Sequence, residues 1–237
     1  MGRRLLGEEA GALQQILPHL FGYHLLQIGS IGHGYLLESS RIRHRCVLTL
    51  SANTICKPYS AVCALPDALP FAHDSIDVVV LPHILEFEKN PHDILREVER
   101  ILIPDGHVVI LGFNPVSLWG VWRWLFARRE TAPWCGRFLP PSRLKDWLAL
   151  LGFDLKNQQT FFFALPFYND RFKTTLLEKN GSRWADNFGG VYMLVAKKRV
   201  ATLTPIKPKW LTQPALITKE AVGTHRQLAL NTKLIKK

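Results

Sequence analysis

Residues 65–120 read LPDALPFAHDSIDVVVLPHILEFEKNPHDILREVERILIPDGHVVILGFNPVSLWG, and the order of elements in this stretch decides the fold. Ser75–Pro82 is a β-branched run bounded by Asp74 and a terminal proline, which predicts a buried strand. Asn90 can cap a helix whose first position is Pro91. Ile94, Leu95, Val98, Ile101 and Leu102 then fall on one apolar face of that helix. Pro104-Asp105-Gly106 predicts a turn, and His107–Phe113 a second buried strand. A helix joining two apolar strands is the unit from which parallel sheets are built.

The same alternation extends in both directions. Leu13, Ile16, Leu17 and Leu20 keep helical spacing and predict an amphipathic leading helix. YHLLQIG (23–29) reads as a short strand ending at Gly29, YLLESSRIR (35–43) as a short helix, RCVLTL (45–50) as a strand and SAVCAL (60–65) as a weaker one. Downstream, PPSRLKDWLALLGF (140–153) predicts a helix capped by Ser142 and ended by Gly152. FDLKNQQTFFFAL (153–165) and GGVYMLVAKKR (189–199) are most simply an antiparallel pair of strands. The expectation is an α/β, three-layer fold with a mostly parallel seven-stranded sheet and an antiparallel edge strand. We place this domain at residues 1–199 and a basic, weakly ordered extension at 200–237.

Composition narrows the class. With 47% hydrophobic and 21% charged residues the chain is an ordinary globular one. No apolar run approaches the roughly 18–20 residues of a membrane span, and the N-terminus lacks the pattern of a secretory signal. Four cysteines without a C-x-x-C pair predict reduced thiols in a cytoplasmic protein. His73, His83, His92 and His107 sit at separate element ends, so no metal site is expected. From Lys197 to Lys237 ten Lys/Arg face one acid, Glu220, so this segment holds +9 of the net charge of +11. Such a tail could touch nucleic acid or an anionic membrane, or simply keep the protein soluble.

Four pieces of the sequence carry a resemblance, in order and at matching spacing: Leu69-Pro70-Phe71; Ile76-Asp77-Val78-Val79; His83-Ile84-Leu85-Glu86-Phe87; and Leu95 to Gly106, LREVERILIPDG. Together they resemble the core of a class I, S-adenosylmethionine-dependent methyltransferase of the type-11 family, and GFNPVSLWG and AVGTHRQ resemble a little-characterised bacterial branch of it. The resemblance spans roughly residues 20–198. It implies the Rossmann-like methyltransferase fold, S-adenosylmethionine as cofactor and S-adenosylhomocysteine as product, bound across the carboxyl ends of the parallel strands.

Carried onto this sequence, the resemblance implies cofactor contacts from Gln27, Gly29, Ser30 and Gly34 in the first glycine turn and from Thr49 at the end of the second strand. Asp67, Ala68 and Leu69 fall near the adenine, and Pro82 at the end of the fourth strand. The contacts depart from the family pattern in four places, one being that Asp67 lies two residues closer to Leu69-Pro70-Phe71 than the pattern has it. Gln27 stands where an acid is usual, Ile31 where a glycine is usual, and Thr49 and Ser51 replace the acid that binds the ribose hydroxyls. His83 is a candidate general base with an unperturbed pKa near 6.5, with Glu86 to orient it. Acceptor contacts are expected from His83, Asn114 and Trp119, the last within an aromatic, Arg-bearing segment, SLWGVWRWLFARR (117–129), that suits a lid or a membrane surface.

The expected function is methyl transfer to a small or lipophilic acceptor by a cytoplasmic protein that could sit against a membrane. Two other readings stand beside it: a methyltransferase-fold binding or scaffold module without catalysis, motivated by the altered cofactor contacts, and an RNA-associated methyltransferase, motivated by the tail.

Overall fold

The computed structural model describes residues 2–51, 58–117, 136–162 and 189–200. Helix α1 (Gly2–Ile16) leads, followed by strands β1 (His24–Ile28), β2 (His44–Thr49), β3 (Ser60–Cys63) and β4 (Ile76–Pro82). A one-turn helix α2 (Ile84–Phe87), helix α3 (Pro91–Ile101) and strand β5 (Leu102–Phe113) come next. Helix α4 (Pro141–Leu150), β6 (Phe153–Phe161) and β7 (Val191–Lys198) close the described residues.

The seven strands form one sheet in the order β3-β2-β1-β4-β5-β7-β6. β1 to β5 are mutually parallel, and β7 runs antiparallel to both β5 and β6. The reversed strand is therefore inserted between β5 and β6, and β6 forms the edge. Alternation along the strands explains the three layers. Val78 and Val80 of β4, Val109 and Leu111 of β5 and Met193 and Val195 of β7 face α1 through Leu13 and Ile16. The intervening Val79, Leu81, Val108, Ile110 and Leu194 face α3 and α4 through Ile94, Leu95, Val98, Leu144 and Leu148. A strand buried on both faces reads as a continuous apolar run, which is why SIDVVVLP shows no alternation.

Four local expectations change. Residues 31–37 form 3-10 turns rather than the helix read over 35–43, and Gly32, His33 and Gly34 are all left-handed there, at φ 71, 48 and 91. Two glycines make that run of positive φ affordable. Ser142 lies inside α4, whose cap position is Pro140, so proline geometry and not a hydroxyl starts that helix. Asn90 precedes α3 without a side-chain capping bond. The Pro104-Asp105-Gly106 turn is absorbed into β5 as a bulge: Ile76 pairs with Leu102, yet Val78 pairs with His107. Among the described residues no helix is long and apolar enough to cross a membrane.

Candidate active site

The chain reverses its direction of winding at β1: β2 and β3 lie on one side, β4 and β5 on the other. A crevice opens at the carboxyl ends of the strands at such a switch point. Here it is a cleft of about 230 Å³ lined by Gly29, Ser30 and Ile31 after β1, Leu48, Leu50 and Ser51 at the end of β2, Pro66, and Pro82, Ile84 and Phe87 after β4. Gly29 has φ 105, and a Cβ there would lie 3.7 Å from Ile84 Cδ1 on the opposite wall. Its glycine keeps the backbone turn open toward the cleft.

Gln27 lies beneath this turn, fully buried. Its Nε2 donates to the carbonyls of Gly29 and Ile31, at 2.8 Å each. Two inward-facing carbonyls need a donor, and a carboxylate has none to give. The glutamine is thus matched to this turn, and the departure from the family acid follows from the turn's own backbone. Its Oε1 is buried without a hydrogen-bond partner. Ile31 occupies the cleft wall directly, as its branched side chain predicts. Gly34 is outside the cleft: the Tyr59 ring packs where its Cβ would be, so this glycine serves close packing of the turn against the chain before β3.

The second-strand end and the L-P-F loop are also placed. Thr49 is buried, and its hydroxyl donates to the Ser51 carbonyl at 2.9 Å, which fixes the turn after β2 rather than facing the cleft. Pro66 lines the cleft, while Asp67 and Ala68 are exposed beside it and Leu69 is buried. The Leu69 amide donates to Glu97 Oε2 at 3.0 Å. Arg100 returns bonds to the carbonyls of Phe71 and Leu69, at 2.9 and 3.0 Å, and pairs with Glu97 at 2.8 Å. Glu97 and Arg100 therefore clamp this loop, and the Arg100 guanidinium holds the Glu97 carboxyl below its usual pKa. These residues went unassigned in the sequence, although their spacing on one helical face and their place in the LREVER motif were a usable signal.

His83 differs most from expectation. It is 2% exposed, with φ 56, and both ring nitrogens are engaged. Nε2 lies 2.7 Å from Glu9 Oε1 of α1, and Nδ1 lies 3.2 Å from Glu86 Oε2. The other Glu86 oxygen accepts the Phe113 amide of β5, and the Phe113 ring stacks on His83 with centroids 4.1 Å apart. Burial alone would depress the His83 pKa, but the bonds to Glu86 and Glu9 overcome it and push it up to about 9. Burial raises the Glu86 pKa. With its pKa pushed up to about 9, His83 holds both ring protons at neutral pH, one directed at Glu9 Oε1 and one at Glu86 Oε2. A solvent-facing base with a free lone pair is not what this geometry offers. Glu86 does orient His83, as a buried partner.

Asn114 is also buried. Its Nδ2 donates to the Gly189 carbonyl at 3.1 Å and its Oδ1 accepts from the Val116 amide at 3.1 Å, so it ties the end of β5 to the approach of β7. Trp119 and its aromatic segment lie outside the described residues, as does the extension beyond residue 200. Glu9 carried no signal in the sequence, since its partner is 74 residues away.

Comparison with known proteins agrees with this arrangement. The family described as a methyltransferase domain matches residues 39–110. The uncharacterized protein YafS of Escherichia coli (strain K12) is 32% identical over 212 residues, 88% of this chain and 81% of that one. Among solved structures, an S-adenosylmethionine-dependent methyltransferase of Thermotoga maritima is 19% identical with a TM-score of 0.64, covering 84% of this chain and 91% of that chain. A second such methyltransferase, from Archaeoglobus fulgidus, is 21% identical with a TM-score of 0.58, over 83% and 94%. The order of the strands, the motifs from Leu69 to Gly106 and the matched segment agree: the chain has the fold of the S-adenosylmethionine-dependent methyltransferases, carries a type-11 methyltransferase domain over residues 39–110, and belongs to one family with YafS.

Proposed function

We propose that this protein methylates a small acceptor with an apolar face, using S-adenosylmethionine held in the cleft between β1, β2 and β4. The observation that carries the reading is the cleft's place at the switch point together with its walls. Leu48, Leu50, Pro66, Ile84 and Phe87 give an apolar slot suited to the flat face of a nucleoside. Gly29, Ser30 and Ile31 would hold the cofactor by the backbone, and Ser30 and Ser51 supply the cleft's hydroxyls. At about 230 Å³ the slot is smaller than the ~300–1,000 Å³ usual for a whole ligand, which fits part of the cofactor and not all of it. When bound, the cofactor supplies a methyl group activated on a sulfonium sulfur.

The residues of this chain contribute position rather than proton transfer. Alignment of the reacting groups is the main demand of a displacement at methyl carbon. His83, buried and bonded at both ring nitrogens, has no lone pair turned toward an acceptor in the cleft. The exposed Leu50 of the cleft lining, 60% accessible, and the exposed Leu65 next in sequence to Pro66 favour a lipophilic acceptor over a highly charged one.

Calorimetric titration with S-adenosylmethionine and S-adenosylhomocysteine tests this: saturable binding of both is expected, and no heat at millimolar ligand would refute it. The absence of a carboxylate from the cleft lining, among the described residues, favours as a second reading a binding module that keeps the fold without turnover. Saturable binding with no methyl transfer to any member of an acceptor panel would select it. For the extension at 200–237 we propose contact with a polyanion, nucleic acid or anionic membrane, on the strength of its charge. Loss of steeply salt-dependent binding on its deletion is the expected result.

A further inference from the structure

The buried array of Glu9, His83 and Glu86 stands astride the cleft wall. His83 separates Pro82 from Ile84, and both of those residues line the cleft. Its backbone is left-handed at φ 56, a conformation unfavourable for a non-glycine residue, so local preference does not hold it there. Tertiary contacts hold it. Glu9 grips Nε2 from α1, Glu86 grips Nδ1 from α2, and from β5 the ring and amide of Phe113 pack on His83 and Glu86. From β7 the Tyr192 phenol lies near Glu86 and donates to the Leu139 carbonyl at 2.9 Å. Among the described residues no second cation contributes to the array. The shorter of the two bonds to His83 is the one that crosses from the N-terminal helix, 2.7 Å against 3.2 Å.

We propose that Glu9 is a positioning residue for the cofactor cleft: from the N-terminal helix it clamps His83, and through the Pro82–His83–Ile84 turn it sets the cleft wall, so that cofactor affinity depends on the seating of α1. This rests on the cleft being the cofactor site. The clamp works only while His83 carries both protons. With two carboxylates against it the ring stays protonated through the neutral range. Glu9→Gln keeps the volume and one acceptor oxygen but removes a charge. His83 then retains Glu86 alone, its hold on the proton weakens, and the turn loosens as the ring deprotonates.

The test measures the dissociation constant for S-adenosylmethionine at pH 6, 7 and 8 in the full chain, with urea unfolding of each variant alongside. Wild-type affinity is expected to be flat across this range. Glu9→Gln is expected near wild type at pH 6 and about tenfold weaker at pH 8, the size of one lost charge-assisted bond. Leu13→Ala loosens the same helix without touching the charges and should lower stability while its affinity stays independent of pH. A flat profile in Glu9→Gln overturns the proposal. So does a Leu13→Ala that reproduces the loss at pH 8, because the effect would then belong to helix stability alone. If Glu9→Gln fails to fold, His83→Asn, which tolerates the left-handed backbone, should bind about tenfold more weakly at every pH, and unchanged affinity there also overturns it. Wild-type protein that binds no cofactor at any pH overturns the cofactor reading itself, and the proposal with it; the other failures touch the proposal alone.

Discussion

Raising the pH should destabilise this protein through one residue. The folded state holds a proton on His83 up to about pH 9, whereas the unfolded chain releases it near 6.5. Because the folded pKa is the higher one, the stabilisation is complete below pH 6.5 and is lost as the pH climbs toward 9. Between those limits the native state binds one proton more than the unfolded state, so stability falls by about 1.4 kcal/mol per pH unit. Across the interval the loss comes to about 3 kcal/mol, or roughly 6–12 °C in the unfolding midpoint of a domain of this size. The raised carboxyl pKa of Glu86 acts in the same direction at lower pH, since its proton is also held more tightly in the folded state. Urea unfolding at half-unit steps from pH 6 to 9.5 measures the slope. The control is Glu9→Gln combined with His83→Asn, which removes the cation and one carboxylate while Glu86 keeps its bond to the Phe113 amide. In that variant the fall between pH 6.5 and 9 should vanish. A wild-type loss below about 1 kcal/mol, or an equal loss in the double variant, would refute the assignment of His83 as a buried imidazolium.

Four further outcomes follow from the geometry. Gln27→Glu restores the residue type usual in the family, yet it should destabilise by several kcal/mol in a urea titration, because a buried carboxylate would face the carbonyls of Gly29 and Ile31. Ser51→Asp places a carboxylate on the cleft lining and should tighten cofactor binding about tenfold by calorimetry; unchanged affinity would mean the ribose lies elsewhere. Gly112→Ala drives a Cβ into the Tyr192 hydroxyl and should cost about 1–3 kcal/mol, with Tyr192→Phe recovering part of the loss in a double-mutant cycle. Glu97→Ala should cost only about 1 kcal/mol, given its partial exposure, but should speed hydrogen exchange at the Leu69 amide by at least tenfold.

The fold was legible because its signals are short-ranged and repeated. An uninterrupted Val-rich run marks β4 wherever it is read, and Pro91 with the Ile94–Leu95–Val98–Ile101 face marks α3. Where two local signals competed, the sequence misled. YLLESSRIR has helical spacing, yet the glycines before it let the backbone turn left-handed three times, and close packing of Gly34 on Tyr59 stabilises that path. Ser142 looked like a cap because hydroxyls favour that position, but Pro140 and Pro141 fix the entry angle two residues earlier.

The site was less legible for a different reason. A motif names residues by their neighbours in sequence, while the chemistry of a side chain is set by neighbours in space. Set beside Pro82 at the mouth of the sheet, His83 carries every local mark of a base. The two carboxylates that make it an acid come from Glu86, three residues on, and from Glu9 in a helix that shares no motif with it. Gln27 follows the same logic in reverse. By resemblance to the family it stands where an acid is usual; by geometry it is the donor that two inward carbonyls require. Both cases turn on the sign of a hydrogen-bonding partner, which residue type and spacing do not encode. Gln27 and the turn after β1 are therefore better understood together: the turn aims the Gly29 and Ile31 carbonyls inward, and the Gln27 amide meets both. The two carbonyls of that turn are satisfied from within the chain, while Gln27 Oε1 stays buried without a hydrogen-bond partner. On the proposed reading of the cleft as the cofactor site, a turn tied down in this way leaves affinity to depend on the wall at Pro82 and Ile84, where Glu9 and His83 are proposed to act.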